Sequence, residues 1–145
     1  MFWPVPTNSI TDGKDAFRLK QKVYLMDLSE MIAHVKALPG FAEHVGMILA
    51  HNGVVRAWSR ADHSPVARIK VSVNRAAMDA LVKTYEQRPG IFKIMADARE
   101  GELKAGDDML FLVVAGDIRE NVKATLGELL DRVKSETMIK QEFAE

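Results

Sequence analysis

Leu28, Met31, Ile32, Val35 and Leu38 recur at the spacing of one helical face, and Pro39-Gly40 ends that run. Asp27 and Glu30 stand at capping-box spacing in front of it. Val45 to Ala50 is a short apolar run of buried-strand type, and His51-Asn52-Gly53 behind it reads as a turn or bulge. Trp58 to Pro65 is polar and reads as a mobile loop. From Val66 to Val73 the period changes to two: Ala67, Ile69, Val71 and Val73 share one face, and Arg68, Lys70 and Ser72 the other. One side of that strand should see water or a partner.

Asn74 can cap a second helix whose Met78, Leu81, Val82 and Tyr85 share a face, and Arg88-Pro89-Gly90 stops it. A strand over Ile91 to Ala98 follows. Gly101 and Gly106 bound a tight connection, and Met109 to Ala115 is unbroken apolar, the pattern of a central strand. Asp117 and Glu120 repeat the capping-box spacing before a third helix with Val122, Leu126, Leu129, Leu130 and Val133 inward, after which the chain reads as a short charged tail. The order helix, strand, strand, helix, strand, strand, helix predicts an α+β fold with a mixed or antiparallel sheet and about three helices.

At 145 residues the length suits one compact domain, 1–145, in which the first 24 residues, without a clear period, form an extended arm or edge strand. The opening Met1 to Pro6 is apolar but carries two prolines and no basic residue, so it does not read as a signal peptide, and no apolar run approaches the ~20 residues of a membrane span. A cytoplasmic protein without membrane contact is expected. The 20 basic residues balance 20 acidic ones, so no global field is available to hold nucleic acid, and any anionic ligand must be met by a local pocket.

Phosphate-binding glycine loops, the dinucleotide fingerprint, the nucleophile elbow and the zinc-protease helix are all missing. No cysteine is present, which removes thiolate nucleophiles and thiolate metal sites, and the four histidines at 34, 44, 51 and 63 lack metal-ligand spacing, so no metal is assigned. What remains is cationic. Arg56 follows a buried strand and the Gly53 turn, Arg119 lies in the first turn of the last helix, and Lys134 and Lys140 bracket that helix's exit. Strand ends and helix N-termini are where a scaffold presents groups to an anion. Each cation alone reads equally as a solvated charge or a helix-terminal counter-charge.

Four blocks change that picture: Gly53-Val54-Val55-Arg56, Gly101-Glu102-Leu103-Lys104-Ala105-Gly106-Asp107, Val113-Val114-Ala115-Gly116-Asp117-Ile118-Arg119, and Arg132-Val133-Lys134 leading to Ile139-Lys140-Gln141-Glu142. In this order and at about these separations the chain resembles the catalytic (large) subunit of molybdopterin synthase, the MoaE family, from roughly Val45 to Glu142. The resemblance implies an α/β-hammerhead fold and a homodimer within a heterotetramer that carries two copies of a small ubiquitin-like sulfur carrier. It implies transfer of sulfur from the carrier's C-terminal Gly-Gly thiocarboxylate to cyclic pyranopterin monophosphate, forming the dithiolene of molybdopterin, with no cofactor. Sulfur arriving on a partner fits a chain without cysteine.

On the same resemblance Lys134, then Lys140, are the candidate catalytic residues, able to stabilise charge, donate a proton or form a transient acyl link. Arg56 and Arg119 are the candidates for binding substrate or its phosphate, with His51 beside them. The chain differs from the family pattern at Ile118, where histidine is usual, at His51, where phenylalanine is common, at Val122-Lys123 in place of Ala-Phe, and in a shorter, altered interval between the two lysines. Those differences motivate a second reading, a non-catalytic relative that keeps the dimer and binds the carrier protein or a pterin. A third reading is a plain anion-binding or structural domain.

Overall fold

In the computed structural model, residues 26–145 are described. The expected N-terminal arm, residues 1–24, lies outside them. Helix α1 (Leu28–Lys36) is capped by Asp27, which accepts a hydrogen bond from the Ser29 amide at 2.8 Å, and Gly40 (φ 84°) turns the chain into a short helix α2 (Phe41–His44). Strand β1 (Met47–Val54) follows, then β2 (Arg68–Val73), α3 (Arg75–Glu86), β3 (Ile91–Ala98), β4 (Gly101–Lys104), β5 (Asp108–Gly116), α4 (Arg119–Glu136) and β6 (Met138–Phe143).

Two three-stranded antiparallel sheets result, one ordered β1-β5-β3 and the other β4-β2-β6. Strand β5 is the centre of the fold because both of its faces are covered. Leu110, Leu112 and Val114 point to α3 and α4, meeting Met78, Leu81, Val122, Leu129 and Val133. Phe111, Val113 and Ala115 point the other way, to Met31 and Val35 of α1. An uninterrupted apolar run is the sequence of a strand packed on both sides, and each such Leu or Val contributes roughly 1.5–3 kcal/mol by burial. A third cluster of Val55, Val66, Ile69, Val71, Leu103 and Met109 joins the second sheet to the first.

The α+β class with antiparallel sheets agrees with the pattern reading, and four helices stand where about three were expected, because α2 is a single turn with no buried residue and so no apolar face to read. Three further readings change. The tight connection after Gly101 is a short strand, β4, paired with β2. The charged tail is a full strand, β6, paired with β2 from Arg68↔Phe143 to Val73↔Met138. At the start of α4 the N-cap is Ile118, with no side-chain cap, while Asp117 accepts from the Ile118 amide (2.6 Å) and from Asn121 Nδ2 (2.9 Å). The Asp117–Glu120 spacing is therefore not a capping box.

Candidate functional site

Along β1 the residues Met47, Leu49, His51 and Gly53 share a face, by the two-residue period of a strand. Met47 and Leu49 pack into the α3/α4 core. His51 extends the same row toward the C-terminal end of α4, and the strand runs on through the expected turn to Val54, with a register irregularity only at Gly53/Val54. A few residues later Arg56 leaves the sheet. Its Nε donates to the Trp58 carbonyl at 3.4 Å and its guanidinium lies 4.9 Å from the Trp58 ring centroid.

Lys134 follows the buried Val133 in the last turn of α4, and β6 returns antiparallel to β2 directly afterwards. Opposite Ile69 and Val71, which are buried, stand Glu142 and Lys140. Lys140 and Glu142 therefore occupy the inner face of an edge strand and form an ion pair at 3.7 Å.

These side chains line a cavity of about 230 Å³ between the sheets, walled by His51, Gly53, Val55, Arg56, Ile69, Met109, Lys134, Lys140 and Glu142. It continues into a chamber of about 330 Å³ that shares Arg56, Met109, Lys134, Lys140 and Glu142 and adds Ser59, Arg60 and Ala61 from the β1–β2 loop. Glu142 is the one carboxylate among the lining residues, against Arg56, Arg60, Lys134 and Lys140.

The electrostatics follow from that imbalance. The Lys134 side chain keeps contact with solvent, yet partial desolvation of its ammonium, followed by the charges of Lys140, Arg56 and Arg60, holds its pKa below the ordinary lysine value, with Asp131 opposing. Burial and the nearby Lys134 charge push His51 down as well, so its imidazole is neutral at pH 7. Its Nε2 is buried and has no hydrogen-bond partner among the described residues. A neutral imidazole and a lysine with a depressed pKa, surrounded by guanidinium groups, can bind an anion and exchange a proton with it.

Of the residues singled out from sequence, His51, Arg56, Lys134 and Lys140 come together in this cavity. Arg119 does not. It is exposed at the opposite end of the first sheet, beside Gly46, Met47, Asp117, Ile118 and Glu120, and pairs with Glu120 at 3.5 Å. The seven residue steps from Met47 to Val54 separate the two ends by roughly 20 Å at strand rise. Arg60, Met109 and Glu142 are lining residues that pattern reading missed. Glu142 has a recoverable signal, since it shares the β6 face of Lys140 two residues away; Arg60 has none, because it lies in a loop without periodicity.

Among the described residues no helix is long and apolar enough to cross a membrane. The chain is 28% identical over 116 residues to a probable molybdopterin synthase of Haloferax volcanii, an alignment covering 77% of this chain and 44% of that protein. It thus spans less than half the length of this relative. Its fold is similar to the molybdopterin cofactor biosynthesis protein E of Burkholderia multivorans (TM-score 0.65, 20% identity, covering 83% of this chain and 82% of that one). It is also similar to a chain from the complex of subunits 1 and 2 of the Helicobacter pylori molybdopterin-converting factor (TM-score 0.57, 12% identity, 92% and 79%). The model of the MoaE protein family matches residues 24–136, which span more than three quarters of the chain and run through β1, Arg56 and Lys134, and the chain belongs to that family.

Proposed function

We propose that the chain is a sulfurtransferase of molybdopterin biosynthesis, taking sulfur from the C-terminal thiocarboxylate of a small ubiquitin-like carrier and delivering it to cyclic pyranopterin monophosphate in the cavity around Lys134. The observation that carries this reading is the convergence of His51 and Arg56 from β1 and its exit, Lys134 from the end of α4 and Lys140 from β6 on one cavity. Cations that merely solvate a surface have no reason to gather at mutual electrostatic cost.

In this reading the guanidinium of Arg56 and the ammonium of Lys140 hold the phosphate of the pterin. Lys134 stabilises the negative charge that develops when the thiocarboxylate sulfur is transferred, or moves the proton that the step requires. The hydrophobic wall of Val55, Ile69 and Met109 limits water around the reacting acyl group. Arg119 can enter such a site only from a second copy of the chain, since on its own copy it faces the far end of the sheet. The resemblance-based expectation of a homodimer within a heterotetramer supplies that second copy.

The test is dithiolene formation from cyclic pyranopterin monophosphate and the thiocarboxylated carrier, with Lys134→Ala beside the wild type. Product from the wild type and a loss of at least ~100-fold in the variant are expected for a residue acting in proton transfer or charge stabilisation. A second reading, a non-catalytic carrier- or pterin-binding module, is favoured by Ile118, an exposed apolar residue (54%) where the family usually carries histidine. Carrier binding without product in the wild type would decide for it.

A further inference from the structure

The β1–β2 loop, expected to be mobile, is closed on itself. Trp58 and Pro65 form an isolated antiparallel bridge, and Val66 N donates to Ala57 O at 2.9 Å. Ser59 N donates to Ser64 O, and His63 N to Ser59 O, both at 2.8 Å. Asp62 accepts from both the amide (3.0 Å) and the hydroxyl (2.7 Å) of Ser64. His63 takes a left-handed backbone (φ 60°) that brings its ring parallel to Trp58, with centroids 4.7 Å apart at 13°. The Arg56 guanidinium also lies over the Trp58 ring, 4.9 Å from its centroid. At its root the loop is tied to the β4–β5 turn, Val55 N donating to Asp107 O and Gly106 N to Val55 O.

A loop whose backbone and side chains satisfy one another in this way has a defined shape, and its tip carries one cation, Arg60. Asp62, the only acid on the loop, is engaged by Ser64, and no carboxylate among the described residues forms an ion pair with Arg60. Arg60 instead borders the chamber, next to Lys134 and Lys140. An exposed arginine at a loop tip is ordinarily a solvated charge. Here a braced loop holds it against three like charges, an arrangement that becomes favourable when an anion lies between them.

We propose that the Trp58–Pro65 loop is a wall of the anion site and that Arg60 is its specificity-determining contact, a guanidinium that with Arg56, Lys134 and Lys140 surrounds the cyclic phosphate group of the small substrate. The Arg56–Trp58–His63 stack acts as a positioning device for it. This inference rests on the proposed pterin-phosphate site and adds to it a residue outside the four family blocks. The cyclic phosphate is a diester whose one negative charge is shared by two non-bridging oxygens, which a planar guanidinium can bind side by side.

Calorimetric titration tests it, with three probes added separately to the full chain: cyclic pyranopterin monophosphate, inorganic phosphate, and a peptide ending in Gly-Gly carboxylate. Arg60→Ala should weaken the pterin phosphate by about tenfold or more and leave the peptide unchanged, while Arg60→Lys, which keeps the charge without the planar fork, recovers only part of the loss. Unchanged thermal stability of both variants is expected from an exposed loop tip and separates contact from folding. Wild-type affinity in Arg60→Ala, with Lys134→Ala weakened, overturns the role of Arg60 and leaves the proposed function standing. If the pterin is not bound but inorganic phosphate is held in an Arg60-dependent way, the sulfur-transfer reading fails and the anion site remains. Phosphate binding that is absent or indifferent to Arg60, or a loss confined to the peptide, overturns the proposal.

Discussion

A side chain on Gly53 would meet His51 Nε2 at 3.0 Å, and that nitrogen is buried without a hydrogen-bond partner among the described residues. The glycine leaves the space that the imidazole fills, two residues away on the same face of β1. Filling that space with an aromatic ring while leaving a polar atom unpaired costs stability, which is common at sites kept for chemistry.

His51→Phe removes the unpaired nitrogen, in a ring one carbon larger that the space beside Gly53 must take up, and should stabilise the fold by about 1 kcal/mol. The sign with pH is fixed by the direction of the His51 shift. Its pKa is lowered from the ordinary 6.5, so below that pH the unfolded chain gains a proton that the folded chain resists, and the wild type loses stability as pH falls. The phenylalanine variant has no such loss. Urea midpoints at pH 8 and pH 5 should therefore diverge further at the lower pH, and equal gaps would refute the assignment of a buried neutral imidazole.

Lys140→Met removes the largest neighbouring charge acting on Lys134 and should raise the Lys134 pKa toward that of a free lysine. Whichever limb of the single-turnover pH profile reports Lys134, rising if the neutral amine reacts or falling if the ammonium donates, must move to higher pH in the variant. A stationary limb would assign the titration to another group. The same depressed pKa means that folding releases a proton between the folded value and 10.5, so stability rises with pH in that window. Lys134→Met should flatten the slope, by tenths of a kcal/mol to ~1 kcal/mol, because the side chain is exposed and screened.

The elements that could be read from sequence are those whose neighbours are uniform. Strand β5 is apolar on both faces because α1 covers one and α3 with α4 the other, and α3 shows its inward face at Met78, Leu81 and Tyr85. Strand β6 could not be read, since its inner face carries Lys140 and Glu142 into the cavity and its outer face leaves Ile139 74% exposed, which erases the alternation. The site divides in the same way. Arg56, Lys134 and Lys140 follow from family blocks and converge with His51, a departure from the family pattern, whereas Arg119, also in a family block, starts a helix at the other end of the sheet of its own copy, a fact of strand direction that local sequence does not encode. Arg60 depends on a loop shape set by contacts among Trp58, Ser59, Asp62, His63 and Ser64, none of them periodic.

Two glycine substitutions should act in opposite directions. A Cβ on Gly46 would overlap the backbone carbonyl oxygen of Asp117, at the point where Gly46 N donates to Gly116 O (2.8 Å) and Asp117 N to Gly90 O (2.9 Å). Backbone cannot rotate away, so Gly46→Ala must separate β1 from the turn into α4 and should cost about 2–3 kcal/mol. Gly127 lies exposed in the middle of α4 with nothing within 4 Å of an added Cβ, and Gly127→Ala should gain about 0.5–1 kcal/mol from helix propensity. Denaturation midpoints in urea would check both; a neutral Gly46→Ala would mean that the crossing is looser than these contacts require.

Glu142 opposes the cations of the cavity from within, paired with Lys140 at 3.7 Å, and the two side chains are 30% and 38% exposed. A pair this open to solvent contributes about 0–1 kcal/mol to folding, so Glu142→Gln should leave stability close to that of the wild type. Its effect on an anion should be larger, because the carboxylate both repels the ligand and competes for the Lys140 ammonium. The glutamine keeps the size of the side chain and ends both effects. Inorganic phosphate should then bind several-fold more tightly, with steeper weakening as salt is added, since one more uncompensated positive charge faces it. Titration at low and at physiological ionic strength distinguishes the outcomes: tighter, salt-sensitive binding means that the cavity is tuned by its single acid, and weaker binding would show that Glu142 holds Lys140 in its working position.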